Sequence, residues 1–209
     1  MTRIYLVRHG QSVGNLKRVV AGHTDVDLTP LGLAQAEETA QYLKDVPFTH
    51  IYSSSLVRAR KTAMPHLSYH NVPITYLDEL KEINCGVWEN IPRSQLEGKD
   101  EQYELFWSEF GTCVIPGGDS VAEAGVRFRD EVISLACKHP DQTILIVTHA
   151  AFLRCMIGTV LGIGLNEYEK KLPFPTNASV QIMDWDGESL SLVAFSEDAH
   201  ITNKTAIRK

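Results

Sequence analysis

Apolar positions along this chain fall into two periods, and the alternation between them predicts the fold. Short β-branched runs at Ile4–Val7, Phe48–Ser53, Val72–Leu77 and Thr143–Thr148 read as strands, and their near-continuous apolarity is that of strands covered on both faces. Helical patterns lie between them. Thr29-Pro30 opens a helix, with Thr as N-cap and Pro at the first helical position, that runs to about Asp45 and is closed by Pro47. Leu56 to about Leu67 reads as a helix rich in Arg, Lys and Ala, and Ser120-x-x-Glu123 is a capping box for a helix to about Lys138. Thr143–Leu165 is long enough to raise the question of a membrane span, but His149 and Arg154 interrupt it. Its character also changes midway, so a buried strand followed by the helix Ala150–Leu161 is expected. Val180–Trp185 and Leu190–Phe195, joined through Asp186-Gly187, form a predicted β-hairpin. Arg8–Leu28 reads as a polar loop, residues 85–118 as irregular apart from a helix near Tyr103–Phe110, and Asn203–Lys209 as a polar tail. Strands alternating with helices predict an α/β protein in three layers, a mainly parallel central sheet flanked by helices, with the hairpin as an antiparallel edge.

Reactive side chains recur at one place in this pattern. Ile4–Val7 ends directly in Arg8-His9-Gly10, and Thr143–Thr148 ends directly in His149. The strand ending near Ser53 leads within five residues to Arg58, and the one ending near Leu77 leads within five residues to Glu82. In an open α/β sheet, ligands bind beyond the carboxyl ends of the strands. Four strands therefore deliver two His, two Arg and one Glu to one edge.

The chain has 209 residues, 44% of them hydrophobic and 22% charged, with a net charge of −6. That is one ordinary globular domain, and it excludes disorder, collagen and coiled coil. The acidic balance argues against a nucleic-acid partner. It also requires that any anionic substrate be met by positive charge concentrated at one site. Cys85, Cys113, Cys137 and Cys155 form no C-x-x-C, and Met1–Val7 is too short for a secretory signal, so reduced thiols in the cytoplasm are expected. No His, Cys or carboxylate cluster has metal-ligand spacing, and no metal or cofactor is expected.

The converging set has a coherent chemistry. Two guanidinium groups can fork onto phosphoryl oxygens, a neutral imidazole can attack phosphorus, and a carboxylic acid can protonate the leaving oxygen. Leu6-Val7-Arg8-His9-Gly10-Gln11-Ser12-x-x-Asn15 resembles the signature of the histidine phosphatase, or phosphoglycerate mutase-like, superfamily. Gly22-His23-Thr24-Asp25-x-x-Leu28-Thr29-x-x-Gly32, Tyr52-Ser53-Ser54-Ser55-Leu56-x-Arg58-Ala59-x-x-Thr62-Ala63 and Leu80-x-Glu82-Ile83-Asn84-x-Gly86-x-Trp88-Glu89 resemble its next blocks. Pro116-Gly117-Gly118-Asp119-Ser120 and Val147-Thr148-His149 complete the order. The resemblance spans nearly the whole chain. It implies a phosphoglycerate mutase-like fold, one domain over residues 1–209 with a short cap-like insertion at about 86–118. It implies His9 as the phosphorylated nucleophile, Arg8 and Arg58 as a phosphoryl clamp, Asn15 on the phosphate, and His149 as the supporting second histidine. Glu82 would be the acid and then the base. Gln11 would line the pocket. Ala150, where the family usually has Gly, would still offer a backbone N–H at a helix start.

Blander readings hold elsewhere. Arg60 and Lys61 belong to a solvated face, His23 to a loop hydrogen bond, and Trp88 to packing. His50, His66, His70, His139 and His200 read as surface or structural, and Tyr103, Phe106, Trp107 and Phe110 as part core and part cap. Residues 86–118 carry only Arg93 and Lys99 as cations against six carboxylates, which predicts a cap hostile to a second anionic group. Phosphomonoester hydrolysis is therefore expected, through a phosphohistidine and without metal. The Glu82–Glu89 block is also similar to α-ribazole and broad-specificity phosphatases. A phosphoglycerate mutase, an isomerase, is the alternative, and a non-catalytic binding module would need a damaged constellation. The expected partner is a small-molecule phosphomonoester, with neither nucleic acid nor membrane, and a homodimer stays open.

Overall fold

The computed structural model describes residues 1–205, except for the side chain of Glu169; the expected tail's residues 206–209 lie outside the described residues. Six strands form one sheet, β1 (Thr2–Arg8), β2 (His50–Ser54), β3 (Ile74–Leu77), β4 (Thr143–Thr148), β5 (Val180–Trp185) and β6 (Leu190–Glu197), in the order β3-β2-β4-β1-β5-β6. The first four positions in that order pair in parallel, while β5 runs antiparallel to β1 and to β6. The helices are α1 (Val13–Lys17), α2 (Pro30–Tyr42), α3 (Val57–Ala63), α4 (Arg93–Leu96), α5 (Glu101–Ser108), α6 (Val121–Cys137), α7 (Ala150–Val160) and α8 (Tyr168–Lys171).

The three layers follow from the two-residue period of the strands. Ile4, Leu6, Ile144 and Ile146 face one way, into a core with Phe128 and Val132 of α6 and Phe152 and Met156 of α7. Val7, Leu145 and Val147 face the other way, against Leu43, Ala59 and Ala63. Phe128 and Phe152 stack with ring centroids 4.1 Å apart. Truncating either to Ala would cost roughly 3–5 kcal/mol.

Local chemistry sets the boundaries. Thr29 caps α2, its hydroxyl accepting from the Gly32 N–H, with Pro30 at the first turn as expected. The helix expected to reach Leu67 stops at Ala63 and tightens into a 3₁₀ turn over Met64–Ser68, because Pro65 brings no N–H and its ring opposes further α-helix. The strand expected from Val72 begins at Ile74, after Pro73. The loop expected over Arg8–Leu28 contains α1, capped reciprocally by Ser12 and Asn15. Arg154 is fully buried in α7: Nε donates to the Leu172 carbonyl (2.6 Å), Nη2 to the Tyr168 carbonyl (2.9 Å), and its guanidinium lies over Phe110 and Phe174. These bonds and ring faces compensate a charge that would otherwise be costly to bury. Among the described residues no helix is long and apolar enough to cross a membrane.

Candidate active site

The register Arg8↔Thr148 between β1 and β4 sets His9 and His149 side by side at the strand ends. Their ring centroids are 5.2 Å apart, and the His9 N–H donates to the Thr148 carbonyl (2.9 Å). Arg8, His9, Asn15, Arg58, Glu82 and Ala150 line one crevice, about 680 Å³ when its open mouth is included. His149, beside His9, is fully buried and is not among the lining residues. Gln11 is not among the lining residues. Its side-chain carbonyl accepts from the Thr29 hydroxyl (2.8 Å), which turns it toward the start of α2.

Each side chain is held in a defined pose. His9 Nδ1 lies 2.7 Å from the Gly10 carbonyl. A carbonyl only accepts, so Nδ1 carries the proton and Nε2 keeps its lone pair. Burial and the charges of Arg58 and Arg8 hold the His9 pKa well below the usual histidine value, so the ring is neutral. His149 is neutral for the same reasons, burial first and then Arg58, and its Nε2 meets the Ser54 hydroxyl at 2.8 Å. Arg8 Nη1 donates to the Pro175 carbonyl (2.7 Å), and burial lowers its pKa to about 9, leaving it charged at neutral pH. Arg58 donates to the Gly22 and Thr24 carbonyls (2.8 and 3.0 Å).

Glu82 occupies the start of α7. Its Oε1 accepts from the N–H of Ile83 and Phe152, and its Oε2 from that of Ala151. His149, the N-cap residue, makes no side-chain cap bond, so Glu82 satisfies these orphan donors instead. Thr148 fixes the approach, its hydroxyl donating to the Leu80 carbonyl (2.8 Å). Asn15 Oδ1 accepts from the Ser12 N–H and from Asn177 Nδ2, which leaves the Asn15 amide nitrogen as the end that can meet an anion. Close backbone approach needs glycine at two points. A Cβ on Gly10 would overlap the Gly32 carbonyl, and one on Gly32 would overlap the Gln11 carbonyl. Those two glycines let α2 press against the loop that carries His9.

The cap differs from expectation. The acids of residues 86–118 are not among the lining residues. Glu89 accepts from the His23 and Cys85 N–H groups and the Thr24 hydroxyl, Asp100 caps α5 and accepts from Trp88 Nε1, Glu97 pairs with Arg18, and Glu104 accepts from the Gly98 N–H. Trp88, Tyr103, Phe106 and Trp107 line the crevice together with Arg93, whose guanidinium lies over Trp107. Among the described lining residues, the cap's one charged contribution is therefore a cation. The acid count of this segment misleads because none of its acids lines the crevice, and Glu89, Glu97, Asp100 and Glu104 serve backbone or ring N–H groups, a hydroxyl or a cation instead. His23 Nε2 meets the Glu82 carbonyl at 2.8 Å, the loop bond expected of it. Sequence reasoning gave no role to Ser54, Thr62 or Asn177. Ser54 stands at a strand end like the residues singled out, and that position was its available signal. Thr62 accepts from the Gly10 N–H, and Asn177 reaches His9 from far along the chain.

A crevice with two buried guanidiniums, a neutral imidazole and a carboxyl at the strand ends is built for phosphoryl chemistry. The chain belongs to the histidine phosphatase superfamily (branch 1), whose family model matches residues 4–198. It is 34% identical over 165 residues to a probable phosphoglycerate mutase GpmB of Yersinia pestis, covering 78% of this chain and 76% of that protein. Bacillus stearothermophilus YhfR superposes with a TM-score of 0.90 at 27% identity, covering 96% of this chain and all of the other. A phosphoserine phosphatase mutant from Entamoeba histolytica, solved with phosphoserine, superposes with a TM-score of 0.85 at 30% identity, covering 96% of this chain and all of the other.

Proposed function

We propose that this protein hydrolyses a small phosphomonoester through a phosphohistidine on His9, without a metal ion. The observation that carries this reading is the His9 ring: neutral, proton fixed on Nδ1 by the Gly10 carbonyl, Nε2 left to attack, and flanked by Arg8 and Arg58. The ester's phosphate docks on the two guanidiniums and the Asn15 amide nitrogen. Nε2 forms a bond to phosphorus as the bond to the leaving oxygen breaks, and Glu82 gives that oxygen its proton. Oε2 of Glu82 has a single N–H partner and is the oxygen with capacity to spare. The incoming dianion raises the proton affinity of His149, which takes up a proton from solvent as the substrate docks, lends its charge to the transferring group, and gives the proton back when phosphate leaves. Water then loses a proton to Glu82 and attacks phosphorus. The P–N bond breaks, its electrons return to Nε2, and phosphate leaves.

A mutase reading draws support from Arg93, which could meet a second anionic group, and from the GpmB relative. The short aromatic cap favours hydrolysis. The test is phosphate release from a panel of phosphomonoesters in excess EDTA, with interconversion of 3- and 2-phosphoglycerate under a bisphosphate primer measured alongside. Phosphate release is expected to exceed isomerisation. Primer-stimulated isomerisation outpacing release would establish the mutase reading, and strict dependence on a divalent metal would end the metal-free scheme.

A further inference from the structure

The segment before β5 belongs to no motif, yet it touches the loop of His9 at every turn. The Pro175 carbonyl accepts from the Arg8 side chain, the Ser179 carbonyl accepts from the Arg8 N–H, and the Ala178 N–H donates to the His9 carbonyl (3.3 Å). Asn177, 1% exposed, is its hub. Its Nδ2 donates to the His9 carbonyl (3.0 Å) and to Asn15 Oδ1 (3.2 Å). Its own orientation is fixed from the tail: the Thr205 hydroxyl donates to Asn177 Oδ1 (3.0 Å), and the Asn177 N–H donates to the Thr205 carbonyl (3.1 Å). Gln35, fully buried, ties the same tail to the same loop, accepting from the Gln11 N–H and donating to the Asn203 carbonyl and the Thr205 hydroxyl. Ala178 holds φ +60, a left-handed conformation that non-glycine residues rarely adopt. It allows the Asn177 amide and the next backbone N–H to converge on one carbonyl.

We infer that Asn177 is a positioning residue, locked by Thr205, that sets both the backbone of His9 and the amide orientation of Asn15. The second effect follows from the donor inventory. With a donor pressed on Asn15 Oδ1, the Asn15 NH₂ must face the crevice, where it meets a phosphate oxygen. Without Asn177 the Asn15 amide keeps only the Ser12 N–H of the two donors that hold this pose, and loses the side-chain donor that presses its oxygen away from the crevice. The tail at 203–205 thereby acts on phosphate binding without touching the phosphate. This assignment rests on the crevice binding a phosphoryl group, as the hydrolytic reading requires.

The experiment is a double-mutant cycle read by the affinity for inorganic phosphate, measured by calorimetry on the full chain. Asn177→Ala is expected to weaken phosphate binding about tenfold when Asn15 is present, the scale of a lost charge-assisted bond. It is expected to change binding less than about twofold in the Asn15→Ala background. A merely structural role would weaken both backgrounds by the same factor, and that outcome overturns the assignment. Thr205→Val is expected to reproduce part of the loss and Thr205→Ser to restore binding; equal loss in both overturns the lock. Unfolding midpoints and near-ultraviolet circular dichroism identify any variant that fails to fold. Asn177→Ser, which keeps a donor in a smaller side chain, then replaces Asn177→Ala in the cycle. Should the wild type bind phosphate yet hydrolyse no ester, the proposed function fails while the cycle is still decided.

Discussion

Two pairs of buried histidines invite comparison. His9 and His149 sit between two arginines at the strand ends, while His66 and His70 sit beneath Phe48 on the 3₁₀ turn after α3 and at its end. All four are shifted toward the neutral form, but for different reasons. Burial alone dominates at His66, pushing its pKa down to about 3. At His9, burial is joined by the charges of Arg58 and Arg8, and a carbonyl selects the tautomer. Among the described residues, neither ring nitrogen of His66 has a hydrogen-bond partner. A neutral imidazole is therefore not a nucleophile by virtue of neutrality. It needs an oriented lone pair, a crevice, and cations placed for the charge that arrives with the substrate.

The largest expected effect separates the pairs by activity. His9→Ala should abolish phosphate release from an aryl phosphate with the fold intact, a larger loss than the roughly 10²–10⁴-fold that general acid catalysis alone supplies. Retention of more than a hundredth of the rate would remove His9 as nucleophile. His66→Leu should leave turnover essentially untouched. Next comes Glu82→Gln, which should slow alkyl esters by about 10²–10⁴-fold and aryl esters with good leaving groups much less. Equal loss on both would assign Glu82 to capping α7 rather than to proton transfer.

A smaller effect separates the pairs by stability. The unfolded chain protonates His66 near its ordinary value of 6.5, whereas the folded protein resists down to about 3. The stability from a neutral His66 is thus fully present above pH 6.5 and is lost progressively as pH falls toward 3. His66→Leu should flatten this decline, removing about 2 kcal/mol of the loss between pH 7 and pH 4.5 in denaturant titrations. An unchanged acid limb would place the sensitivity elsewhere. The finest test is spectroscopic. The His9 ring proton resonances should show no titration midpoint between pH 7.5 and 5.5 in the free protein, and a midpoint near 6.5 would contradict the account of its neutrality.

Much of this site can be read from sequence because its parts obey a local rule. Arg8, His9 and His149 directly follow apolar runs, and Arg58 and Glu82 follow theirs within a few residues, so strand recognition alone places them at one edge. The central sheet and the closing hairpin are legible for the same reason. What escaped depends on partners distant in the chain. Asn177 lies 168 residues from His9, and an Asn in a Pro-containing loop reads as a turn residue. Of the cap's carboxylates, Glu89 is held by His23 and Thr24 and Glu97 by Arg18, partners 65 to 79 residues away that only the fold brings near. The pose of Gln11 is likewise set at a distance, by the hydroxyl of Thr29 eighteen residues away, which donates to its side-chain carbonyl.

The place of β1 in the sheet has a consequence for how the chain comes to life. It is an inner strand whose neighbours are β4 and β5, yet it ends at Arg8 while β4 begins only at Thr143. During synthesis, β2 and β3 can zip together early, but Ile4–Val7 must wait with both hydrogen-bonding edges open. Such apolar, unpaired edges attract wrong partners, and closing them over so long a loop is slow. The nascent chain thus carries His9 from the outset, but His9 meets His149 only when the sheet closes around β1. The pairing of the two histidines is therefore expected late in folding, and a chain interrupted before β4 would hold a sticky strand and one of the two imidazoles.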